Sequence, residues 1–205
     1  MKYPNPSPKT LELLYEYEVG GGEKYYTKYL SAFTWPGASS GPTIAIGIDC
    51  GYYSKQELAN IFAFLNNDQI KLVQEASGKI KQEGKEYTKV LRQAGIKVEW
   101  HDAEKIFQDL TWPKFSRLAE SAFPGLDKFP ADAYGALVSL VFNRGISMKG
   151  DSRKEMRNIR ALVPDLNFKR IAVQLRAMKR LWEGQDLDGL LKRRDAEADL
   201  VESCA

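Results

Sequence analysis

The stretch Thr43-Ile-Ala-Ile-Gly-Ile-Asp49 separates a short N-terminal helical segment from a long, mainly helical remainder. Its apolar residues recur with a period of two, which is typical of a half-buried β-strand. In one continuous strand the three isoleucines would face the core, and Thr43 and Asp49 would lie on the opposite face. Only an alanine and a glycine would separate them there. We therefore predict a shallow polar floor on which a hydroxyl and a carboxylate could bind and activate one water molecule.

The segment before this stretch predicts a first helix over residues 9–19, ended by three consecutive glycines. Leu11, Leu14 and Glu18 fall on one face of that helix. A carboxyl group that continues an apolar face should be partly desolvated, which raises its pKa and keeps a proton available for general acid catalysis. The alternative is a solvated glutamate at a fraying helix end.

Residues 24–53 carry most of the β-forming side chains, with Tyr25, Tyr26 and Tyr29 among them. The remainder, residues 54–203, predicts a helical lobe. Its expected helices span 54–65, 67–77, 80–94, 102–122, 131–144, 153–163, 166–181 and 187–203. Ser54 with Glu57, and Ser152 with Glu155, predict capping boxes at two of the helix starts.

These segments predict an α+β fold that is predominantly α, with a small β-sheet lobe and a larger helical lobe in one domain of residues 1–205. A length of 205 residues with 43% hydrophobic and 28% charged residues suits one globular domain. No apolar run approaches the roughly 20 residues of a membrane helix. The polar, proline-containing residues 1–8 predict no Sec signal peptide, so we expect synthesis in the cytoplasm.

The net charge and the few histidines and cysteines limit which partners and which types of catalytic site we expect. The net charge of +3 is mild, although basic residues outnumber acidic ones between residues 149 and 194. That surplus suits either an anionic partner or the solvated faces of amphipathic helices. With one histidine, His101, a histidine-based triad or metal site is not expected, so carboxylates should do the acid–base work. Cys50 reads as a small buried side chain, and a disulfide between Cys50 and Cys204 stays open.

Four features in order resemble the phage-type lysozyme family. Glu18 at a helix end and the segment Thr43–Asp49 are similar to the family's active-site region, and the six-residue step to Asp49 resembles its pesticin-like branch. The stretch Ala133-Tyr-Gly-Ala-Leu-Val-Ser-Leu-Val-Phe-Asn-Arg-Gly145 resembles the family helix ending in F-N-x-G. Gly189-Leu-Leu-Lys-Arg-Arg-Asp-Ala-Glu197 resembles its G-L-x-x-R-R-x-x-E segment. Many family members have histidine where this chain has Ile48, and the loop between Glu18 and Thr43 is longer than in the smallest members.

The resemblance implies a lysozyme-like fold and a muramidase that cleaves the β-1,4 bond between N-acetylmuramic acid and N-acetylglucosamine in peptidoglycan. It implies Glu18 as the general acid, with Asp49 and Thr43 positioning the attacking water. The side chains expected to contact the substrate are Asn143, Arg144, Tyr52, Trp35 and Tyr26. For Arg193 and Arg194 the alternative to a role at the site is helix capping and pairing with Glu197 on the last helix. Neither a metal nor a cofactor is expected, because the side chains supply the acid and the base.

Several alternatives stay open. A lytic transglycosylase would need only the glutamate, and a chitinase or chitosanase shares the helix-plus-sheet plan. A non-catalytic wall-binding or tail-structure module and a nucleic-acid-binding helical protein are the other classes, and we expect neither. We expect a monomer that binds bacterial peptidoglycan, with no nucleic-acid or membrane partner, and acts in the periplasm or cell wall. It would serve as an endolysin, an antibacterial effector or a toxin domain, with delivery machinery or an immunity protein as further partners.

Overall fold

The computed structural model describes residues 3–205 and confirms the predicted α+β class, which is mostly helical with one small sheet. In chain order the helices are α1 (Pro8–Glu18), α2 (Glu23–Tyr29), α3 (Lys55–Ile61), α4 (Asn67–Gln74), α5 (Lys81–Gln93), α6 (Trp100–Ile106), α7 (Trp112–Ala122), α8 (Ala131–Arg144), α9 (Lys154–Leu162), α10 (Phe168–Ala177) and α11 (Asp188–Glu202); the strands are β1 (Thr43–Ile44) and β2 (Ile48–Asp49). Among the described residues, every helix is too short or too polar to cross a lipid bilayer.

The chain forms two compact units. One, the discontinuous unit, combines the residues up to Glu18 with Gln108–Ala205, and the other, the inserted unit, is Val19–Phe107. The sequence predicted a division after residue 53, whereas helices α3 to α6 belong with the hairpin in the inserted unit. Organisation as one lysozyme-like domain stays a prediction.

Helix α8 is the centre of the discontinuous unit, and its bounds agree with the predicted 131–144. Nine consecutive residues, from Ala133 to Val141, are buried, because α1, α7 and α11 all pack on this helix. Its glycine permits one of these contacts. A Cβ at Gly135 would lie 1.9 Å from the hydroxyl of Thr10 on α1, so only glycine allows so close an approach.

The stretch 43–49 is a hairpin, so the prediction of one continuous strand was wrong. β1 and β2 pair antiparallel, with Thr43 opposite Asp49 and Ile44 opposite Ile48. The chain reverses at Ala45 and Gly47, which both have positive φ angles, of 55° and 78°. The alternating pattern arises in either arrangement, because the isoleucines are buried on the hairpin as they would be on one strand.

The aromatic segment after Gly22 forms helix α2, which corrects the prediction of β structure there. Tyr25 and Tyr29 are four residues apart on one exposed face, with ring centroids 4.7 Å from each other. Tyr26 points into the core and packs against Trp100 on α6. Tertiary packing has overridden the β propensity of these side chains.

The two capping boxes predicted from the sequence have different outcomes in the structure. The predicted capping box at Ser54 is present, since its hydroxyl accepts from the amide of Glu57 and the Glu57 carboxylate accepts from the amide of Ser54. The box predicted at Ser152 is absent, because Arg153 is the N-cap of α9 and the carboxylate of Glu155 accepts from Arg180 at 2.6 Å.

The predicted helix 102–122 is divided into α6, a short π-helical segment (Phe107–Thr111) and α7.

Candidate active site

Glu18 is the last residue of α1, and its surroundings match the predicted desolvation. Leu14, one turn earlier on the same face, is buried, whereas Glu12 and Glu16 point to solvent. The side chain of Glu18 is only 23% exposed. Burial raises the pKa of the Glu18 carboxyl above its usual value, and this effect outweighs the opposite influence of Arg193. A carboxyl group of this kind retains its proton to higher pH, as a general acid requires.

A cavity of about 370 Å³ opens beside Glu18 within the discontinuous unit. It is lined by Tyr17, Glu18, Asn143, Asp186, Leu187, Gly189, Leu190 and Arg193. Two predicted site residues, Glu18 and Asn143, therefore share one cavity although they come from different helices. Asn143 is exposed near the end of α8, where its amide can donate and accept hydrogen bonds.

Arg193 is the contact partner of Glu18 that the sequence did not reveal. Its Nη1 lies 2.5 Å from Glu18 Oε1, although the two residues are 175 positions apart. The predicted pairing on the last helix is confirmed, since Glu197 Oε1 lies 3.3 Å from Arg193 Nε and 2.8 Å from Arg194 Nη2. Helical spacing indicated only the pairs within α11, and no local signal indicated the contact with α1.

Thr43 and Asp49 lie together in the inserted unit, but in a different arrangement from the predicted floor. The hairpin places them opposite each other, and both bond to Gly41. The Asp49 carboxylate accepts from the amide of Gly41, 3.0 Å from Oδ1 and 3.1 Å from Oδ2, and from the amide of Gly51 at 3.1 Å. The Thr43 hydroxyl donates to the carbonyl oxygen of Gly41 at 3.2 Å. The two side chains are thus anchored by backbone groups.

Gly41, for which the sequence predicts only a place in a turn, supplies the amide that bonds Asp49 and the carbonyl oxygen that bonds Thr43. A Cβ at this position would lie 2.5 Å from the carbonyl oxygen of Lys79 and 2.7 Å from Asp49 Oδ1. A contact that short with backbone cannot be relieved by a side-chain rotation. The glycine therefore allows its own amide to approach the Asp49 carboxylate closely.

The three predicted aromatic contacts differ in exposure. Tyr52 is 62% exposed, and its hydroxyl donates to the carbonyl oxygen of Ser39. Trp35 is half-buried, donates from Nε1 to the carbonyl oxygen of Ser40 and lies beneath the Lys85 ammonium. Tyr26 is fully buried and its hydroxyl donates to the carbonyl oxygen of Val98, which contradicts its predicted contact with a substrate.

Arg144, the remaining predicted contact, is largely committed to the protein itself. Its guanidinium lies 4.8 Å from the ring of Trp182 and donates to the carbonyl oxygen of Ser152 at 2.8 Å. Burial, followed by the charges of Arg153 and Arg194, lowers the pKa of Arg144 to about 10.

The acidic, histidine and cysteine side chains bear on metal binding and on disulfide formation. The described residues contain no cluster of three or more His, Cys, Asp or Glu side chains that could hold a metal ion. Cys50 is buried as predicted, and both Cys50 and Cys204 are free thiols, so the disulfide that the sequence left open is not formed.

Comparison with known protein families assigns the chain's family. The sequence model of the phage lysozyme family matches residues 84–197, which is more than half of the chain. The matched segment includes Asn143, Arg193 and Glu197, and it begins after Glu18, Thr43 and Asp49. A comparison with curated proteins found no match.

Proposed function

Because the chain belongs to the phage lysozyme family of peptidoglycan-degrading glycoside hydrolases, we propose that it is a muramidase with Glu18 as its general acid. Its target would be the β-1,4 bond between N-acetylmuramic acid and N-acetylglucosamine. The observation that carries this proposal is the half-buried Glu18 carboxyl at the edge of a cavity, with a raised pKa and a fixed arginine partner. A proton held in that way can be donated to the oxygen of a departing sugar.

Water attack is assigned in this proposal to Asp49 and Thr43. Backbone amides fix the orientation of the Asp49 carboxylate, and the Thr43 hydroxyl is held opposite it. Asp49 Oδ2 accepts from one amide only, so it retains lone-pair capacity for a water molecule. In this scheme Glu18 protonates the leaving oxygen while Asp49 deprotonates or orients the water, and the carboxyl pair follows the general logic of glycoside hydrolysis.

Substrate contacts are proposed for the polar and aromatic groups that remain accessible. Asn143 shares the cavity with Glu18 and offers an amide to the N-acetyl groups of the glycan. Tyr52 and Trp35 offer aromatic faces to sugar rings, Tyr52 with the larger exposed area. Arg144 would act mainly by holding the loop after α8 through its bond to Ser152.

A lytic transglycosylase is the second candidate, and one observation favours it. Within the described residues, the three hydrogen bonds that the Asp49 carboxylate accepts come from backbone amides of its own loop. If that structural role is the whole role of Asp49, no base is left for water, and Glu18 alone would perform acid and base steps. The product would then be an anhydro sugar and not a reducing end.

The deciding experiment digests purified peptidoglycan with the wild type, Glu18→Gln and Glu16→Gln, and identifies the products by mass spectrometry. We expect reducing muropeptides from the wild type, none from Glu18→Gln, and wild-type yield from Glu16→Gln, whose side chain is exposed one half-turn away. Anhydro-muropeptides from the wild type would show that the enzyme is a lytic transglycosylase and not a muramidase. Full activity in Glu18→Gln would refute the assignment of the acid, and cleavage of chitin alone would reassign the substrate.

The proposed biological setting is action on the bacterial wall, as a phage endolysin, a delivered antibacterial effector or a toxin domain of the pesticin-like branch. In each setting the enzyme must reach the periplasmic face of the membrane. Expression in bacteria with and without an added export signal tests this directly. Lysis that needs both export and Glu18 supports wall cleavage as the lethal activity, and a cognate immunity protein would suppress it.

A further inference from the structure

A buried polar cluster lies behind Glu18, between α8 and α11. Arg193, Arg194, Glu197 and Ser139 are each no more than 3% exposed. Glu197 Oε1 is their common acceptor, at 2.7 Å from Ser139 Oγ, 2.8 Å from Arg194 Nη2 and 3.3 Å from Arg193 Nε. Removing two cations and an anion from water is costly, so such a cluster calls for an explanation beyond stability.

The hydrogen bonds of Arg193 show what the cluster holds in place. Its Nε donates to Glu197, and its Nη2 donates to the carbonyl oxygen of Ser139 at 3.2 Å and to the hydroxyl at 3.0 Å. Only Nη1 is directed to Glu18. The guanidinium is therefore fixed along its other edges, and its orientation toward Glu18 depends on Glu197 and Ser139.

The charges of the cluster bear on the protonation state of Glu18. Two arginines are offset by Glu197 and, when it is ionised, by Glu18. If Glu197 were neutral, the charge of Arg193 beside Glu18 would lose its buried counter-charge, which would favour ionised Glu18. Within the discontinuous unit, the other titratable groups near Glu18 are Tyr17 beside it and Asp186 on the cavity wall, while Asn143 from α8 is neutral.

We propose that Glu197 is a positioning residue for the reaction: from the buried side of α11 it orients Arg193 and offsets the charge of Arg193, so that Glu18 meets the substrate as the protonated acid. This inference rests on the proposed function, in which Glu18 is the general acid. In agreement with it, burial raises the pKa of Glu18 most, Arg193 lowers it, and the charge of Glu197 adds a smaller upward influence. Glu197 itself is fully buried and acts only through Arg193 and through its charge.

The test is Glu197→Gln, which preserves shape and an acceptor oxygen but removes the charge. We expect the alkaline limb of the activity profile to move down by about one pH unit, because Glu18 ionises earlier without the neighbouring anion. The pKa of Glu18, read from its side-chain carboxyl ¹³C signal, should fall by the same amount. That signal is identified by its absence in Glu18→Gln, and circular dichroism verifies the fold.

The matched control is Glu155→Gln, which removes another buried carboxylate that is paired with an arginine, Arg180. It should lose comparable stability and leave the alkaline limb in place. Glu197→Asp keeps the charge, so the alkaline limb of its activity profile should lie at the wild-type pH. Its kcat should be lower, because the shorter side chain displaces Arg193. A limb that stays in place in Glu197→Gln, with activity reduced equally at every pH, would overturn the proposal and leave Glu197 a structural residue.

Two further results separate the possible failures. If Glu197→Gln does not fold, Ser139→Ala takes its place. This variant removes the hydroxyl that bonds both Glu197 and Arg193, and it should lower kcat several-fold with KM unchanged. An unchanged kcat in Ser139→Ala would contradict the positioning role. Full activity in Glu18→Gln would refute the proposed function, whereas an inactive Glu18→Gln with an unmoved limb in Glu197→Gln would refute this inference alone.

Discussion

Asp49 shows how one side chain can serve structure and chemistry at once. Its carboxylate accepts hydrogen bonds from the amides of Gly41 and Gly51, and Gly41 is the residue where an added Cβ would collide with backbone. The aspartate therefore ties together the two ends of the hairpin segment. Any catalytic duty it has must use the lone pairs that these amides leave unoccupied.

Asp49→Asn tests both roles. We expect the free energy of unfolding to fall by about 1–2 kcal/mol. An amide oxygen in place of Oδ1 can still accept from both backbone amides, but it is a neutral and weaker acceptor, and the side-chain NH₂ in place of Oδ2 would face the Gly41 N–H. Urea denaturation measures this loss. The matched control is Asp68→Asn, whose side chain is 93% exposed, and it should change stability by less than about 0.5 kcal/mol.

The rate of the same variant distinguishes the two candidate reactions. If Asp49 activates water, muropeptide release by folded Asp49→Asn should fall by about 10²-fold or more. A folded variant that retains the wild-type rate would favour the transglycosylase and would leave Asp49 with its structural role only.

At the scale of elements, the same sequence signal had two outcomes at two helix starts. Ser54 caps α3 and forms a reciprocal pair with Glu57, both at the surface. At α9 the corresponding glutamate, Glu155, is buried and paired with Arg180 from the turn after α10. A long-range ion pair has thus displaced a local cap.

Ser54→Ala and Ser152→Ala therefore should not have the same effect. We expect Ser54→Ala to lower the free energy of unfolding by about 1 kcal/mol, because the first turn of α3 loses its side-chain acceptor. Ser152→Ala should be close to neutral, because Ser152 makes no cap and its contact with Arg144 uses the backbone carbonyl. Urea denaturation of both variants checks the pair, and equal losses would contradict the observed caps.

At the scale of the whole molecule, Glu18 couples the stability of the fold to pH. Burial holds the pKa of Glu18 above its value in the unfolded chain, so the native state binds this proton more tightly. Stability contributed by the group is then present at low pH and is lost as pH rises from the usual glutamate pKa through the raised native value.

The measurement is the free energy of unfolding of the wild type minus that of Glu18→Gln across a pH series. We expect this difference to fall between the usual glutamate pKa and the raised native pKa of Glu18. Below and above that pH range it should be constant, because glutamine does not titrate. The free energy of unfolding of Glu16→Gln, a variant at an exposed position, should follow that of the wild type at a constant offset across the pH series. A difference that rises with pH would mean that Arg193, and not burial, controls the ionisation of Glu18.

The sequence by itself determined the fold class, the bounds of α8 and the cap of α3, because each depends on residues within one helical segment. The mostly apolar run from Ala133 to Phe142, bounded by Pro130 and Gly145, is longer than a typical buried strand and therefore predicts a buried helix. The sequence left the environment of Glu18 open between a desolvated carboxyl, whose helix face continues that of Leu14, and a solvated one at a fraying helix end; the structure shows the former.

Only the tertiary structure decided the hairpin at 43–49, the helix at Tyr25 and the contact between Glu18 and Arg193. An alternating pattern does not distinguish one strand from two short ones, because both bury the same isoleucines. The ion pair joins residues 175 positions apart, and its existence depends on where α1 and α11 meet against α8. Such contacts are set by the packing of whole helices, which neighbouring residues along the chain do not encode.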